Sequence, residues 1–579
     1  MLKTPHSIMK LWLFFVLASV SSFMLTGCNA KNDADQIFYN GDILTMAGKE
    51  AAYVEALVVK DGKIVFAGEK DKAMALKGNK TQVTDLAGRT LMPGFIDAHG
   101  HISQYGFALQ MIDLQPEPYG KVMSIPQLQK VLKDYIAENK IPAGTMIVGN
   151  GYDDAIMEEH RHPTAQELDE VSPVNPIYIE HTSGHMGVAN SLLLKNMNIT
   201  YDTPDPAGGI IGKDPATKQL TGKMQENANI NSLQYVITQL PKPAESDKYK
   251  SLLAAEKAWF AGGQTTICEG RAAPDNIDHI MDADKKGLLK GDYIIMPDYD
   301  LNADKLTHWK QFYKKYNGHI KIGGIKMTFD GSPQGKSAWL TKPYLVPPEG
   351  EKQGFRGQPI YSTEAAYKGL KAIFQQGMQV HIHCNGDAAI DEGLNLLERL
   401  KKEKLLTKDM RCVLIHSQVC RKDQVPRYKQ VGIMPSWFPT HVYLWGDWHR
   451  SNVLGEERAR RISPLKEGLD QKIPFTIHHD SPVTPPDLIT AVYAAVNRKT
   501  RSGYILGPEF RISPYEALKA ITINAAWQWG EEKEKGTLEK NKRADLVILD
   551  KNPVKVDPFT IKEISVMETY KDGVQVYKK

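Results

Sequence analysis

The stretch P-G-F-I-D-A-H-G-H, Pro93 to His101, decides the fold. It is a short apolar run that closes on two histidines. Side chains at i and i+2 of a β-strand share a face, so His99 and His101 at a strand's exit can hold one metal ion between them. With 17 histidines in 579 residues, an H-x-H spacing arises by chance roughly 0.5 times. The pair therefore needs the remaining ligands from elsewhere in the chain. His160 and His162 have the same spacing and are read as accidental.

Downstream of this stretch, short apolar strands alternate with helical segments. Strands are expected at Thr265–Cys268, Ile320–Phe329, Gln379–Cys384, Cys412–His416 and Pro474–His478. Helices are expected at Ser362–Gln376, Ala388–Glu403 and Pro485–Asn497, and one opens at Ser513 with proline in its first turn. Repeated strand-then-helix predicts a parallel α/β fold with a barrel as the leading choice. Residues from about 120 to 250 break this rhythm and are read as an insertion covering the site. Both ends of the chain are β-rich. Asn40-Gly41, Asp61-Gly62 and Asp572-Gly573 stand between apolar runs as hairpin signals, so one small sandwich built from both termini is expected.

The first 27 residues fall outside this scheme. Lys3 and Lys10 precede an apolar run, Leu11–Phe23, of signal-peptide length. Leu25-Thr26-Gly27-Cys28 then resembles a bacterial lipobox. The resemblance implies cleavage before Cys28, lipid attachment there, and export to a membrane facing the periplasm. Asn29 in place of aspartate favours the outer membrane. The net charge of +4 carries no long basic run, so a nucleic-acid partner is excluded. No C-x-x-C pair is present, and Cys268, Cys384, Cys412 and Cys420 are read as buried thiols in preference to a Cys412–Cys420 disulfide.

Polar or ionisable residues end several of the apolar runs: His99 and His101, Glu269, Lys326, His383, His416 and Asp480. In a parallel barrel the C-terminal strand ends form the active face. Imidazole and carboxylate ligands there suit a divalent cation such as zinc.

These pieces resemble the amidohydrolase superfamily, and within it the YtcJ-like branch. The matching segments are the Pro93–His101 stretch, Asp205–Ile211, Gly262–Ile267, Ile325–Ser332, His383–Asp391 and Lys542–Asp550. The resemblance implies a TIM-like (β/α)8 metal-dependent hydrolase barrel over residues 91–530, interrupted by the insertion. It also implies a small β-sandwich from residues 28–90 and 531–579. It assigns His99, His101, Lys326, His383, His416 and Asp480 as ligands of one or two ions, with Lys326 N-carboxylated. Asp480 is implied to shuttle a proton during cleavage of a non-peptide C–N bond in a small amide. Deacylation of N-acyl amino acids and ester or lactone hydrolysis are the enzymatic alternatives, and a non-catalytic binding or regulatory lipoprotein is the other. A homodimer is an open option for the assembly.

Some residues keep two readings. Lys326 is a carboxylated ligand or an amine paired with Asp330. His381 is an interior histidine or a ligand. His185 touches substrate or caps its own loop. Glu269 orients a ligand histidine or bonds nearby backbone. His478 and His479 replace the small residues usual before the last-strand aspartate, and alternation gives His478 the face of Asp480. The aromatic run from Trp437 to Trp448 is core or lid packing, or an apolar substrate wall.

Overall fold

A computed structural model describes residues 33–241, 244–348 and 350–579. The expected signal segment and Cys28 lie outside the described residues. Two arcs of parallel strands form the central barrel. The first runs Phe95–Ile96, Gln264–Ala272, Asp292–Pro297 and Ile320–Ile322. The second runs Ile325–Thr328, Val380–Cys384, Val413–His416, Met434–Trp437 and Thr476–Ile477. Ile320–Ile322 and Ile325–Thr328 are one strand interrupted at Gly323-Gly324, because both pieces pair in parallel with the Asp292 strand region. A Cβ on Gly323 would lie 2.4 Å from Ile294 Cγ2, so the close approach here requires glycine. Eight parallel strands result. The first and eighth meet at their exits, where Asp480 N–H donates to His99 O and His101 N–H to Ser481 O.

The helices that cover the barrel are set by their caps. Ser362 and Ser513 accept from the backbone N–H groups of Ala365 and Glu516, satisfying first-turn donors. The helix expected from Pro485 begins instead at Leu488, where Asp487 Oδ1 accepts from Thr490 N–H. The two prolines before it occupy the approach to the cap. All four described cysteines are free and buried, as expected.

Strands from the two ends of the chain join one sheet. Thr90–Pro93 pairs with Leu546–Leu549 antiparallel, and the sheet extends on either side to Lys63–Gly68 and Val574–Lys578. The sheet curls so that its wings face each other, with the Phe38 and Tyr570 rings 5.4 Å apart edge to face. Asp61-Gly62 and Asp572-Gly573 make the expected hairpins. Asn40-Gly41 does not. It is a bulge inside the strand Gln36–Leu44, with Asn40 at φ +59°. Beyond the bulge the strand continues, because Asp42 and Ile43 pair with Thr90 and Leu91. A left-handed Asn before Gly serves a bulge as well as a turn.

The segment between the first and second barrel strands folds as its own α/β unit. Ile112–Asp113, Ile147–Tyr152, Ile177–His181, Met186–Ala189, Gly209–Asp214 and Gln219–Glu226 form a six-stranded sheet. It buries separate apolar clusters, one around Leu128 and Ile179 and another around Tyr178 and Leu193. No helix among the described residues is long and apolar enough to cross a membrane.

Candidate active site

The barrel mouth and the insertion enclose a cavity of about 350 Å³. His101, Lys326, His383, His416 and Asp480 line it from the barrel, and His185 and Glu226 from the insertion. The structure therefore brings together the residues that the sequence placed hundreds of positions apart. His99 lies just beneath them and is fully buried.

Asp480 is the hub. Its Oδ1 lies 3.3 Å from Nε2 of His99 and 3.3 Å from Nε2 of His101. That oxygen is buried and has no hydrogen-bond partner. Lys326 Nζ is 3.2 Å from His99 Nε2. His416 Nε2 sits 3.2 Å from His383 Nδ1. His99, His101 and Asp480 each bring a donor atom within 4.8 Å of the others, and His416, His478 and Asp480 form a second such group. Non-glycine residues rarely adopt positive φ, yet His416 and Asp480 do so, at +67° and +57°. Such backbone persists where its surroundings over-determine it, and here it turns both strand-end side chains toward one another.

Burial sets the charge states. Desolvation, with the nearby Lys326 ammonium, holds His99 and His383 well below the usual imidazole range. Burial also holds His416 down, against the pull of Asp480. Neutral imidazoles are the form that ligates metal. Burial alone would raise the Asp480 carboxyl, but the imidazoles of His416, His101 and His478 outweigh it and keep the group ionised. Imidazole nitrogens converging on an unpartnered carboxylate oxygen fit a divalent cation.

The residues with two readings now separate. Asp330 is not the partner of Lys326; it accepts the backbone N–H groups of Trp339, Asn385 and Gly386. His381 is interior, stacked on Trp529 at 4.9 Å and bonded to Gln379. Glu269 accepts from Ser103 N–H at 2.8 Å and so bonds the first turn of the helix after His101. His185 Nδ1 lies 2.8 Å from Glu226 Oε2, and its ring is 5.5 Å from that of His383. Burial opposes a charge on His185, but Glu226 prevails and raises it above the ordinary value. His478 Nε2 meets His416 Nδ1 at 3.0 Å, while Ser436 fixes its other nitrogen. His479 points the other way, to Gln264 and Asp97. The aromatic run packs as core, with Trp445 and Phe438 fully buried.

Three contributors were not read from the sequence. Asp97 accepts from Trp259 Nε1, Cys268 N–H and His99 N–H, and so fixes the exit of the first strand. It lies two residues before His99, where alternation gives it the same face. Arg271 follows Glu269 at the same spacing and enters the cavity. Glu226 ends an insertion strand at φ +50°, and no local motif marks it.

A family model described as "Amidohydrolase family" matches residues 82–577. The chain is 26% identical over 561 residues to the N-substituted formamide deformylase of Arthrobacter pascens, covering 94% of this chain and 98% of that one. It is 26% identical over 549 residues to YtcJ of Bacillus subtilis (strain 168), covering 94% and 99%. A solved structure of an uncharacterized metal-dependent hydrolase from Pyrococcus horikoshii OT3 superposes with a TM-score of 0.69 at 25% identity, over 90% of this chain and 99% of that one. With a closed parallel barrel, histidines and an aspartate converging at its mouth, and a family match over most of its length, this chain belongs to the amidohydrolase family.

Proposed function

We propose that the protein is a metal-dependent hydrolase that cleaves a non-peptide amide bond in a small molecule, with His99, His101, Lys326, His383, His416 and Asp480 around one or two zinc ions. The observation that carries this reading is the approach of two imidazole nitrogens to the free Oδ1 of Asp480, each at 3.3 Å. When bound there, a divalent cation polarises the substrate carbonyl and lowers the pKa of water from 15.7 to about 7.

The chain's own groups do the rest. Asp480 accepts the proton of the attacking water. As the new C–O bond forms and the C–N bond breaks, it returns that proton to the leaving nitrogen, giving a carboxylic acid and an amine. Such positioned acid–base work contributes about 10²–10⁴-fold. The His185–Glu226 pair stands over the same space from the insertion, where a protonated imidazole binds the substrate's oxygen or an anionic substituent. Lys326 is read as N-carboxylated. Burial pulls its amine down to about 8 against the opposing charge of Asp480, so neutral amine is available to capture CO₂ near physiological pH. The carbamate then puts a negative charge where an ammonium would repel cations.

Metal analysis of the purified protein together with amide turnover by wild type and Asp480→Asn tests the reading. A metal-containing wild type with turnover, and an Asp480→Asn variant slowed about 10³-fold, is the expected result. Protein that binds no divalent metal and hydrolyses no amide sinks it. We further propose that the mature chain is lipid-anchored through Cys28 and faces the periplasm, from the outer membrane. Mass spectrometry of the membrane-extracted protein should find Cys28 as its first residue, carrying lipid, and an unmodified Cys28 would refute the anchor.

A further inference from the structure

Arg271 stands in the cavity wall two residues past Glu269, at the exit of the second barrel strand. Its Nε–H donates to Asp298 Oδ2 at 2.6 Å. The other oxygen of Asp298 is occupied, accepting the backbone N–H groups of Asp300 and Leu301. Asp298 thus grips the guanidinium by one edge and fixes its plane. A guanidinium has five N–H donors. Among the described residues, those on the two Nη atoms have no hydrogen-bond partner. The side chain is 33% exposed, onto the cavity. A planar fork held at one edge and open at the other matches a carboxylate, which it takes in two parallel hydrogen bonds.

The neighbouring acids are already engaged. Asp300 accepts the Tyr361 hydroxyl, and Glu226 faces His185. Asp298, which holds Arg271, is bridged along the backbone to Lys326, and Arg271 and Lys326 line the same cavity. A group bound at Arg271 therefore lies beside the reacting atoms. Elsewhere the same cavity is lined by Phe107, Met111, Ile230 and Leu233, which suit an uncharged arm.

We propose that the substrate is an amide carrying a carboxylate close to the scissile C–N bond, with Arg271 as the contact that selects it. This rests on the hydrolase reading and narrows it to a substrate class. The carboxylate lies on the amine half in an N-acyl amino acid and on the acyl half in a dicarboxylic monoamide. The fork accepts either, and matched compounds tell them apart.

The test uses the metal-loaded full chain and four amides: N-acetylphenylalanine, N-acetylphenethylamine, the phenethyl monoamide of succinate, and an analogue with a primary amine in place of the carboxylate. One of the two carboxylated amides should exceed the neutral one by about 10²-fold in kcat/KM, mostly through KM. Arg271→Met should bring that ratio close to one, and Arg271→Lys should restore part of it. A neutral or amine-bearing amide favoured by the wild type overturns the proposal, as does a ratio that survives Arg271→Met. If none of the four is hydrolysed, the turnover arm counts against the hydrolase reading and not against Arg271. Calorimetry with the uncleavable N-benzylphenylalanine then decides this inference separately, with about 10²-fold weaker binding to Arg271→Met expected and equal binding overturning it.

Discussion

The barrel mouth gathers His99, His101 and Asp480, and the insertion gathers Asp153, Asp154 and His181; in each trio the donor atoms lie within 4.8 Å of one another. The first has two histidines and one aspartate, the second one histidine and two aspartates, and the second is the more deeply buried. Hydrogen bonding and charge separate them further. In the barrel trio, both Nε2 atoms converge on an aspartate oxygen that has no other partner. In the insertion, burial opposes a charge on His181, but Asp153 and Asp154 prevail and raise its imidazole to about 9, so Nε2 carries a proton toward Asp154 Oδ1 at 3.0 Å. A nitrogen carrying its proton offers no lone pair to a cation. Asp153 is committed as well, accepting from Ala155 N–H and from Trp445 Nε1. The first cluster keeps the Asp480 oxygen unpartnered, whereas the second pairs a charged imidazole with two carboxylates, one of them tied to Trp445.

The sharpest break of this contrast is at Lys326. Lys326→Ala should reduce turnover by about 10²–10³-fold and lower metal occupancy, if a carboxylated lysine ranks with the ligands and their partners. Added short carboxylic acids should restore part of the activity, and depletion of bicarbonate should slow the wild type. Full activity in Lys326→Ala would remove this residue from the centre. The matching change in the insertion, Asp154→Asn, should leave metal stoichiometry unchanged. It should destabilise the fold by about 1–3 kcal/mol, because it leaves buried polar atoms poorly matched. Loss of metal from Asp154→Asn would make the second cluster a cation site and erase the distinction.

The sequence held much of the barrel and less of the cavity. Strand exits are legible because an apolar run of period two ends on a residue that packing does not explain, as at His99, His383 and Asp480. Alternation also separated His478 from His479, and the structure turns them to opposite sides. Asn40-Gly41 misled because a left-handed pair suits a bulge and a turn equally, and only long-range pairing with Thr90 decides between them. The insertion's residues were harder to read. Glu226 meets His185 across 41 positions, and nothing in either local pattern encodes that approach. The alternative that paired Lys326 with Asp330 fell for a related reason. Proximity in sequence suggested an ion pair with Lys326, but three backbone N–H groups at the next strand and loop claimed the carboxylate.

The His185–Glu226 pair lies between the two clusters in character, since it belongs to the insertion but faces the barrel histidines. Glu226→Gln removes the charge that raises His185. With the raised pKa, His185 stays protonated as pH rises to that value and loses its charge above it. In Glu226→Gln the charge should be lost at lower pH, so the alkaline limb of the kcat/KM profile should move toward acid. His185→Gln should raise KM about tenfold with a smaller change in kcat, on the scale of one charged hydrogen bond. An unmoved pH limb together with an unchanged KM would return His185 to a purely structural role.

The smallest effect tests how the insertion is held. Trp445 Nε1 donates to Asp153 Oδ2 at 2.7 Å, joining the helix Thr440–Trp448 to the loop after the strand Ile147–Tyr152. Trp445→Phe keeps an aromatic ring in the cluster with Phe438 but removes the donor. The Asp153 oxygen is then buried without its partner, and a smaller ring leaves space in the packing. Together these should cost about 1–3 kcal/mol of stability. If Asp153 only fastens the insertion, metal content and kcat should follow wild type, and the loss should appear as a lower Tm. If Asp153 were a ligand, freeing its oxygen would raise metal affinity and offset the lost stability when metal is added. A Tm of Trp445→Phe that recovers to wild type with excess zinc, while that of Asp154→Asn does not, would therefore show that the second cluster was one donor away from binding a cation.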